Sequence, residues 1–523
     1  MRGANHRHLH PPRNGTHYAR AAGSPVSRPA VRAIGGLAAA AALVAVGAGS
    51  IFAAVPAAAA AHRMTASSCT VRWTGSGDGQ LWTDPRNWST GKVPGASDNV
   101  CIAGLNTNVL TQVSITVHSL LLNGDGFINL QGTSSKPVTA TVATSVTMPP
   151  SATLTGGIEM TDATLKAGQI SSHRGTIFTA GTCHIISPHV IFADQSSLEA
   201  FNGTATLSSL PELSNGTLTG VGILADHAKV VLPGDITHLA SAHINLHRDS
   251  ALDDPAGHPA LAGLTSIDAR SSLIDFSNLA LTGTSFTADG QVEFGGRTLT
   301  IAGPFTQAAH TLSLAPRSTL SARPVTIGRR AGFADFGTVA ADLVNDGRLG
   351  ATGTPHVTGN YTQAPGATLF SGFGNLLTVT GTATLAGSIS ATEQFAKTGD
   401  TTPLITFGSL VGDFTRHPLG LKLRTTAHEI DGIQVPQLAV LPATVSRGQA
   451  VTVRAGGFTL NQDVRIFLDH ASGTPLPTGV TVTNLAGGFT VTATIPASVA
   501  TGPHRLIAVA TDGEQASVPI TVR

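Results

Sequence analysis

After the first 61 residues, the densest group of ionisable side chains runs through His243, His247, Arg248, Asp249, Asp253, Asp254 and His258. Carboxylates and imidazoles move protons and ligate hard cations, so Asp253 and Asp254 are the candidate catalytic residues, as an acid–base pair or as part of a divalent site. Pro255 and Gly257 stand beside them, and this composition also describes a charged loop turning back on itself, which is the simpler reading. The second candidate is the stretch that holds all three tryptophans, Trp73, Trp82 and Trp88. Exposed indole faces stack on sugar rings, so these residues read as a glycan site or, by their bulk, as a plug for a protein core. The plug is the preferred reading. Gly77-Asp78-Gly79 and Asp84 supply too few carboxylates for a calcium site. Cys183 has only His184 beside it and reads as a small buried hydrophobe. Serine-hydrolase elbows, phosphate-binding loops and dinucleotide fingerprints are not evident. No cofactor and no metal is expected.

The first 61 residues carry six arginines and no acid, followed by an Ala/Val/Gly-rich run over 33–55 and the small residues Ala57 to Ala61. A basic start, an apolar middle and small residues at the end predict a secretory signal peptide over 1–61, cleaved before His62. The remainder then holds 25 basic and 30 acidic residues, a net charge of −5 spread over about 460 residues. No basic stripe is left to neutralise phosphates, which argues against nucleic acid, and no membrane association is expected after cleavage. An exported chain permits disulfides. Cys69 and Cys101 bracket the tryptophan stretch and are expected to pair, closing a loop worth about 3 kcal/mol on the chain-entropy picture.

The elements that would hold these groups are strands. Helical periodicity is nearly absent after the first 61 positions; apolar residues alternate, or form short runs between Gly, Pro, Asn and Asp. A Thr-Leu phrase recurs at unequal intervals: the steps from Thr153 to Thr164 and from Thr206 to Thr217 are equal, and the step from Thr298 to Thr319 is nearly twice as long. Short strands at that cadence predict an all-β chain built as a single-stranded β-helix, or β-solenoid, with a body over 116–432 of roughly sixteen coils and roughly 75 Å. A solenoid must cover its end coils. The segment 62–115 is therefore expected to be a tryptophan-rich cap, with Gly75, Gly77 and Gly79 in tight turns and Asp78, Asp84 and Asn87 bonding backbone amides. Regular strands separated by frequent turns over 433–523 predict an Ig-like β-sandwich.

Two passages carry a resemblance. The run Gly77-Asp78-Gly79, Trp82, Asp84-Pro85, Asn87-Trp88-Ser89, Gly91, Val93-Pro94, Asp98 and Val100 resembles the start of bacterial surface β-helix proteins. Gly359-Asn360-Tyr361-Thr362-Gln363 with Gly366-Ala367-Thr368-Leu369, then Val379 to Gly387, resembles the closing coils of autotransporter-passenger-like solenoids, which implies that the helix ends near Phe395 to Phe414. The last module, with Gly456-Gly457-Phe458, Ile495-Pro496 and Gly502-Pro503-His504, is similar to Ig-like modules of secreted actinobacterial proteins. The resemblance bears on architecture. The few charged and aromatic residues of the body, and a sequence spent on turns and strand formers, favour an extracellular, secreted or surface-associated structural or adhesive protein. Its solenoid is then a rigid spacer, and its Ig-like module the contact to a cell-wall or extracellular polysaccharide or a surface protein. Two alternatives stay open. One is a carbohydrate-active β-helix enzyme, a polysaccharide lyase or glycosidase with carboxylates gathered from successive coils. The other is a glycan-binding protein without turnover.

Overall fold

The structure is a computed structural model and describes residues 68–149, 156–296, 298–334, 337–351, 354–371, 376–391, 398–478, 482–484 and 487–523. The expected signal segment 1–61 lies outside the described residues, as do the first Thr-Leu phrase at Thr153, Phe395 of the expected solenoid end, and Val480 and Thr481 of the last module.

Alternating apolar residues put one side chain of every pair inward, and consecutive coils stack those inward positions on each other. One such row is unbroken. It starts at Val109 and passes Ile128, Ile158, Ile177, Leu198, Ile223, Ile244, Leu273, Val292, Leu312 and Phe333. It ends at Leu349, Leu369 and Ile389, and each member is parallel-paired with the next. All of these residues are buried. The result is a β-solenoid of about 13 turns. Strands of neighbouring coils lie ~4.8 Å apart, so the row spans roughly 62 Å. The expectation of sixteen coils is corrected, because the coils are unequal in length. Along this row the longest step runs from Ile128 to Ile158 and the shortest from Phe333 to Leu349.

A coil has three faces. The strands Thr338–Val339, Leu343–Asn345 and Arg348–Ala351 stack on His356–Val357, Tyr361–Gln363 and Thr368–Ser371. A single coil has nothing to bury its inward side chains against, so the stack acquires its stability from neighbours, at about 1.5–3 kcal/mol for each large apolar side chain removed from water. Where the chain turns a corner, backbone carbonyls aim inward and need donors. Gln363, buried, donates through Nε2 to the carbonyls of Ala386 and Ser388 at 2.8 and 2.9 Å, and Gln307 does the same for Gly290 at 2.7 Å.

The solenoid closes with a change of strand direction. Thr401–Gly412 is parallel to Leu377–Leu385 on one side and antiparallel to Glu429–Gln434 on the other, and Leu421–Thr425 completes an antiparallel edge. Phe414 is buried in the same apolar core as the coils. Covering the last parallel strand this way removes an open edge. A separate apolar core, from Leu438 to Val522, belongs to a β-sandwich of one three-stranded and one four-stranded sheet.

The sandwich is bolted to the closing hairpin. The Glu514 carboxylate accepts the Thr459 amide at 2.8 Å, the Thr459 hydroxyl at 2.5 Å and the Thr398 amide at 3.3 Å. Gln434 Nε2 donates to the Phe458 carbonyl at 2.5 Å, and the Gly420 amide donates to Gln437 Oε1 at 3.1 Å. Backbones touch here: a Cβ on Gly420 would lie 2.2 Å from Gly457 N, and one on Gly456 would lie 2.0 Å from the Leu419 carbonyl oxygen.

Candidate functional site

The tryptophan stretch folds as a compact cap. Val71–Arg72 pairs in parallel with Val100 and Cys101 of the strand Asn99–Thr111, and Trp73 bridges to Trp88. Cys69 and Cys101 form the disulfide, with Cα atoms 5.8 Å apart. Leu81 pairs with Leu110, and the Trp82 amide donates to the Leu110 carbonyl at 2.9 Å. The cap thereby covers the edge of a strand that is already part of the parallel stack, since Asn99–Thr111 pairs onward with Ser119–Gln131.

Trp82 and Trp88 are about 1% and 2% exposed and belong to the same apolar cluster as the solenoid interior. Their rings meet edge-on at 4.7 Å, and Trp73 meets Trp88 edge-on at 4.8 Å. Burial on that scale takes the indole faces of Trp82 and Trp88 out of reach of a sugar. Trp73 is only half-buried.

Polar residues of the motif hold the plug. Asn87, fully buried, accepts the amides of Gly77 and Gly79 at 2.8 and 3.1 Å through Oδ1, and donates to Asp78 at 2.7 Å and to the Leu81 carbonyl at 3.0 Å through Nδ2. Asp78 accepts the Gln80 and Leu81 amides, both at 2.9 Å, which lowers its pKa below the ordinary carboxylate value. Asp84 is lowered to about 2, first by the Arg86 side chain and then by the Arg86 amide. Gly75 and Gly79 take the left-handed backbone expected of them. Gly77 is needed for a different reason: a Cβ there would lie 2.4 Å from the Asp84 carboxylate. Lone pairs that a cation would use are thus spent on amides, and no group of three metal-ligating side chains occurs among the described residues.

Asp253 and Asp254 are placed apart in role. Asp253 is buried and ion-paired with Lys229 Nζ at 2.6 Å. Asp254 accepts the amides of Ala256 and His258, both at 2.8 Å, and meets His258 Nδ1 at 3.1 Å, closing a turn in which Gly257 is left-handed. His243 bonds the Ser272 hydroxyl, and His247 stacks on Phe276 at 5.2 Å. These side chains are engaged in separate local contacts. Cys183 is buried, its Sγ 3.2 Å from the Ala180 carbonyl, and burial pushes the thiol up.

The stack assembles a row of side chains that linear sequence does not show. On one outward face Glu159, Phe178 and Glu199 occupy consecutive rungs. The backbone positions of the two glutamates are two rungs apart, roughly 9.6 Å along the axis. Asn129 Nδ2 donates to Glu159 at 2.7 Å, and burial pushes Glu199 up despite the Ser197 hydroxyl at 3.3 Å.

No known family model matches the chain, and no curated protein matches it.

Proposed function

We propose that this chain is an extracellular, cell-surface-associated structural or adhesive protein in which the solenoid is a rigid spacer and the C-terminal β-sandwich, read as Ig-like, contacts the partner. The observation that carries this reading is the joint between them. Glu514, Gln434 and the glycines at 420, 456 and 457 join the sandwich to the last coils by hydrogen bonds and backbone contact. A module carried on a flexible tether needs no such joint; a module held in one direction does. Two sheets of three and four strands fit the Ig-like reading. The partner class this supports is a cell-wall or extracellular polysaccharide or a surface protein.

Spin labels at Thr90→Cys and Ser472→Cys test the spacer. Both positions are exposed. A narrow distance distribution is expected, and a broad one removes the rigid-spacer reading. Failure of the intact chain to bind either polysaccharide or protein fractions of a bacterial envelope removes the adhesive half.

A second reading draws on the outward row. This reading requires the Glu159 and Glu199 carboxyl groups to stand at the separation an inverting glycosidase uses, about 6.5–9.5 Å, with Glu199 as the acid and Glu159 as the base. Hydrolysis of a soluble glycan that survives in Glu199→Gln would discard it.

A further inference from the structure

Of the three indoles only Trp73 is partly exposed, and it borders a recess. The recess has a volume of about 350 Å³, and its walls include Trp73, Gly75, Gly79, Gln80, Thr107 and Asn108. That volume is at the lower end of what small-ligand sites occupy. Its chemistry is selective. One wall is aromatic; the rest is hydroxyl, carboxamide, a methyl group and glycine backbone, and no ionisable side chain lines it. Among the described residues no hydrogen bond reaches Trp73 Nε1, nor the side chains of Gln80, Thr107 and Asn108, whereas Trp88 Nε1 is satisfied by the Trp82 carbonyl at 2.7 Å. The floor is held open by Gly75 and Gly79 in left-handed backbone, where a side chain would be strained.

We infer that this recess is a binding subsite for a neutral saccharide, with one sugar ring stacked on Trp73 and its hydroxyls bonded by Gln80, Thr107, Asn108 and the Trp73 indole N–H. An indole face takes up the C–H face of a pyranose, and neutral amides and hydroxyls exchange hydrogen bonds with sugar hydroxyls without the cost of desolvating a charge. A phosphate would lack a cation here, and a metal ion would lack a carboxylate. The buried pair Trp82 and Trp88 with the Asn87 hub keeps Trp73 fixed, so the platform is ordered before the ligand arrives. This subsite is independent of the spacer reading, because it sits in the cap and makes no use of the sandwich.

All three tryptophans lie in the cap, so the intrinsic fluorescence of the full chain reports chiefly on this region. Titration with cellotetraose, chitotetraose and maltotetraose in turn, to about 10 mM, is expected to give a saturable change with at least one of them, with a Kd of about 1 mM. Gln80→Ala and Asn108→Ala change exposed side chains and should leave folding intact while weakening binding severalfold each; Trp73→Ala should abolish it. Retention of wild-type thermal unfolding by the two exposed variants separates lost binding from lost structure. No saturable change with any of the three sugars overturns the inference. Binding that persists unchanged in both exposed variants overturns it equally, since the sugar then sits elsewhere.

Discussion

The Trp88 indole N–H donates to the carbonyl oxygen of Trp82 at 2.7 Å, in a position closed to water. Close in sequence, the two thereby define one bend of the cap and seal the first coil. Trp88→Phe keeps an aromatic ring but leaves that carbonyl without its donor. The expected loss is about 1–3 kcal/mol, for an unsatisfied buried acceptor plus a smaller ring. Urea unfolding followed by far-UV circular dichroism measures it, and a midpoint equal to wild type would show that the hydrogen bond contributes nothing.

Asn87 should matter more than either acid around it. It satisfies two amides, one carboxylate and one carbonyl from a fully buried position. Asn87→Ala strands several of these groups together, and about 3 kcal/mol or more is expected to be lost. Asn87→Asp restores the acceptor for Gly77 and Gly79 yet sets a second carboxylate against Asp78, so it should rescue little. Thermal melts of the pair rank the two effects; equal stability of Asn87→Ala and wild type would contradict the hub.

Asp275 lies in an inward row between Leu246 and Phe294, almost fully buried. Its Oδ1 accepts the amide and hydroxyl of Ser277, both at 2.6 Å, and Oδ2 has no partner. Burial raises its pKa above the ordinary carboxylate value, and the Ser277 hydrogen bonds offset only part of this. The folded chain therefore holds this proton more tightly than the unfolded chain. Stability should fall as pH rises from the ordinary carboxylate range through the raised folded value, then level off. Asp275→Asn does not titrate, so the variant should gain on wild type from about pH 4 upward, until the folded carboxyl is fully ionised. Parallel pH profiles of the two proteins would refute this.

Glu514 behaves oppositely. Burial alone would raise its pKa, but hydrogen bonds from the Thr398 and Thr459 side chains and amides outweigh burial and hold it below the ordinary glutamate value. Its contribution is present above the unfolded carboxylate value and is lost as pH falls through the lowered folded value. Acid, or Glu514→Ala at neutral pH, should loosen the joint before either core melts. Amide hydrogen exchange at Thr398 and Thr459 is the readout. Protection that survives in Glu514→Ala would mean that the glycine contacts hold the joint by themselves.

The strand class, the stacking and the pairing of Cys69 with Cys101 were legible because each rests on local rules: alternation of apolar residues, turn residues between runs, and two cysteines around one bulky motif. The number of coils was not. The Thr-Leu phrase marks an outward threonine beside an inward leucine on any face. Leu299 and Leu320, separated by one full turn, are true neighbours on one face. Leu207 and Leu218, about half as far apart in sequence, belong to different strand ladders: Leu207 pairs with Ile185, while Leu218 pairs with Leu239. Counting phrases therefore mixes full turns with part turns. The recess beside Trp73 was half legible. The indole stood out by type, but Thr107 and Asn108 come from the next strand, and the sequence carries no sign that they would face it. The row of Glu159, Phe178 and Glu199 has no linear signal at all, since its unequal spacings follow from corner lengths.

Unequal coils have a consequence for how such a chain can change. Adding residues at a corner lengthens a loop and leaves every rung above and below in register, as the long step from Ile128 to Ile158 already does between the shorter steps on either side of it. Doubling a flexible loop costs only about 0.6 kcal/mol in closure entropy. New recognition elements can therefore be grafted onto the flank of this protein, one corner at a time, without redesigning its interior.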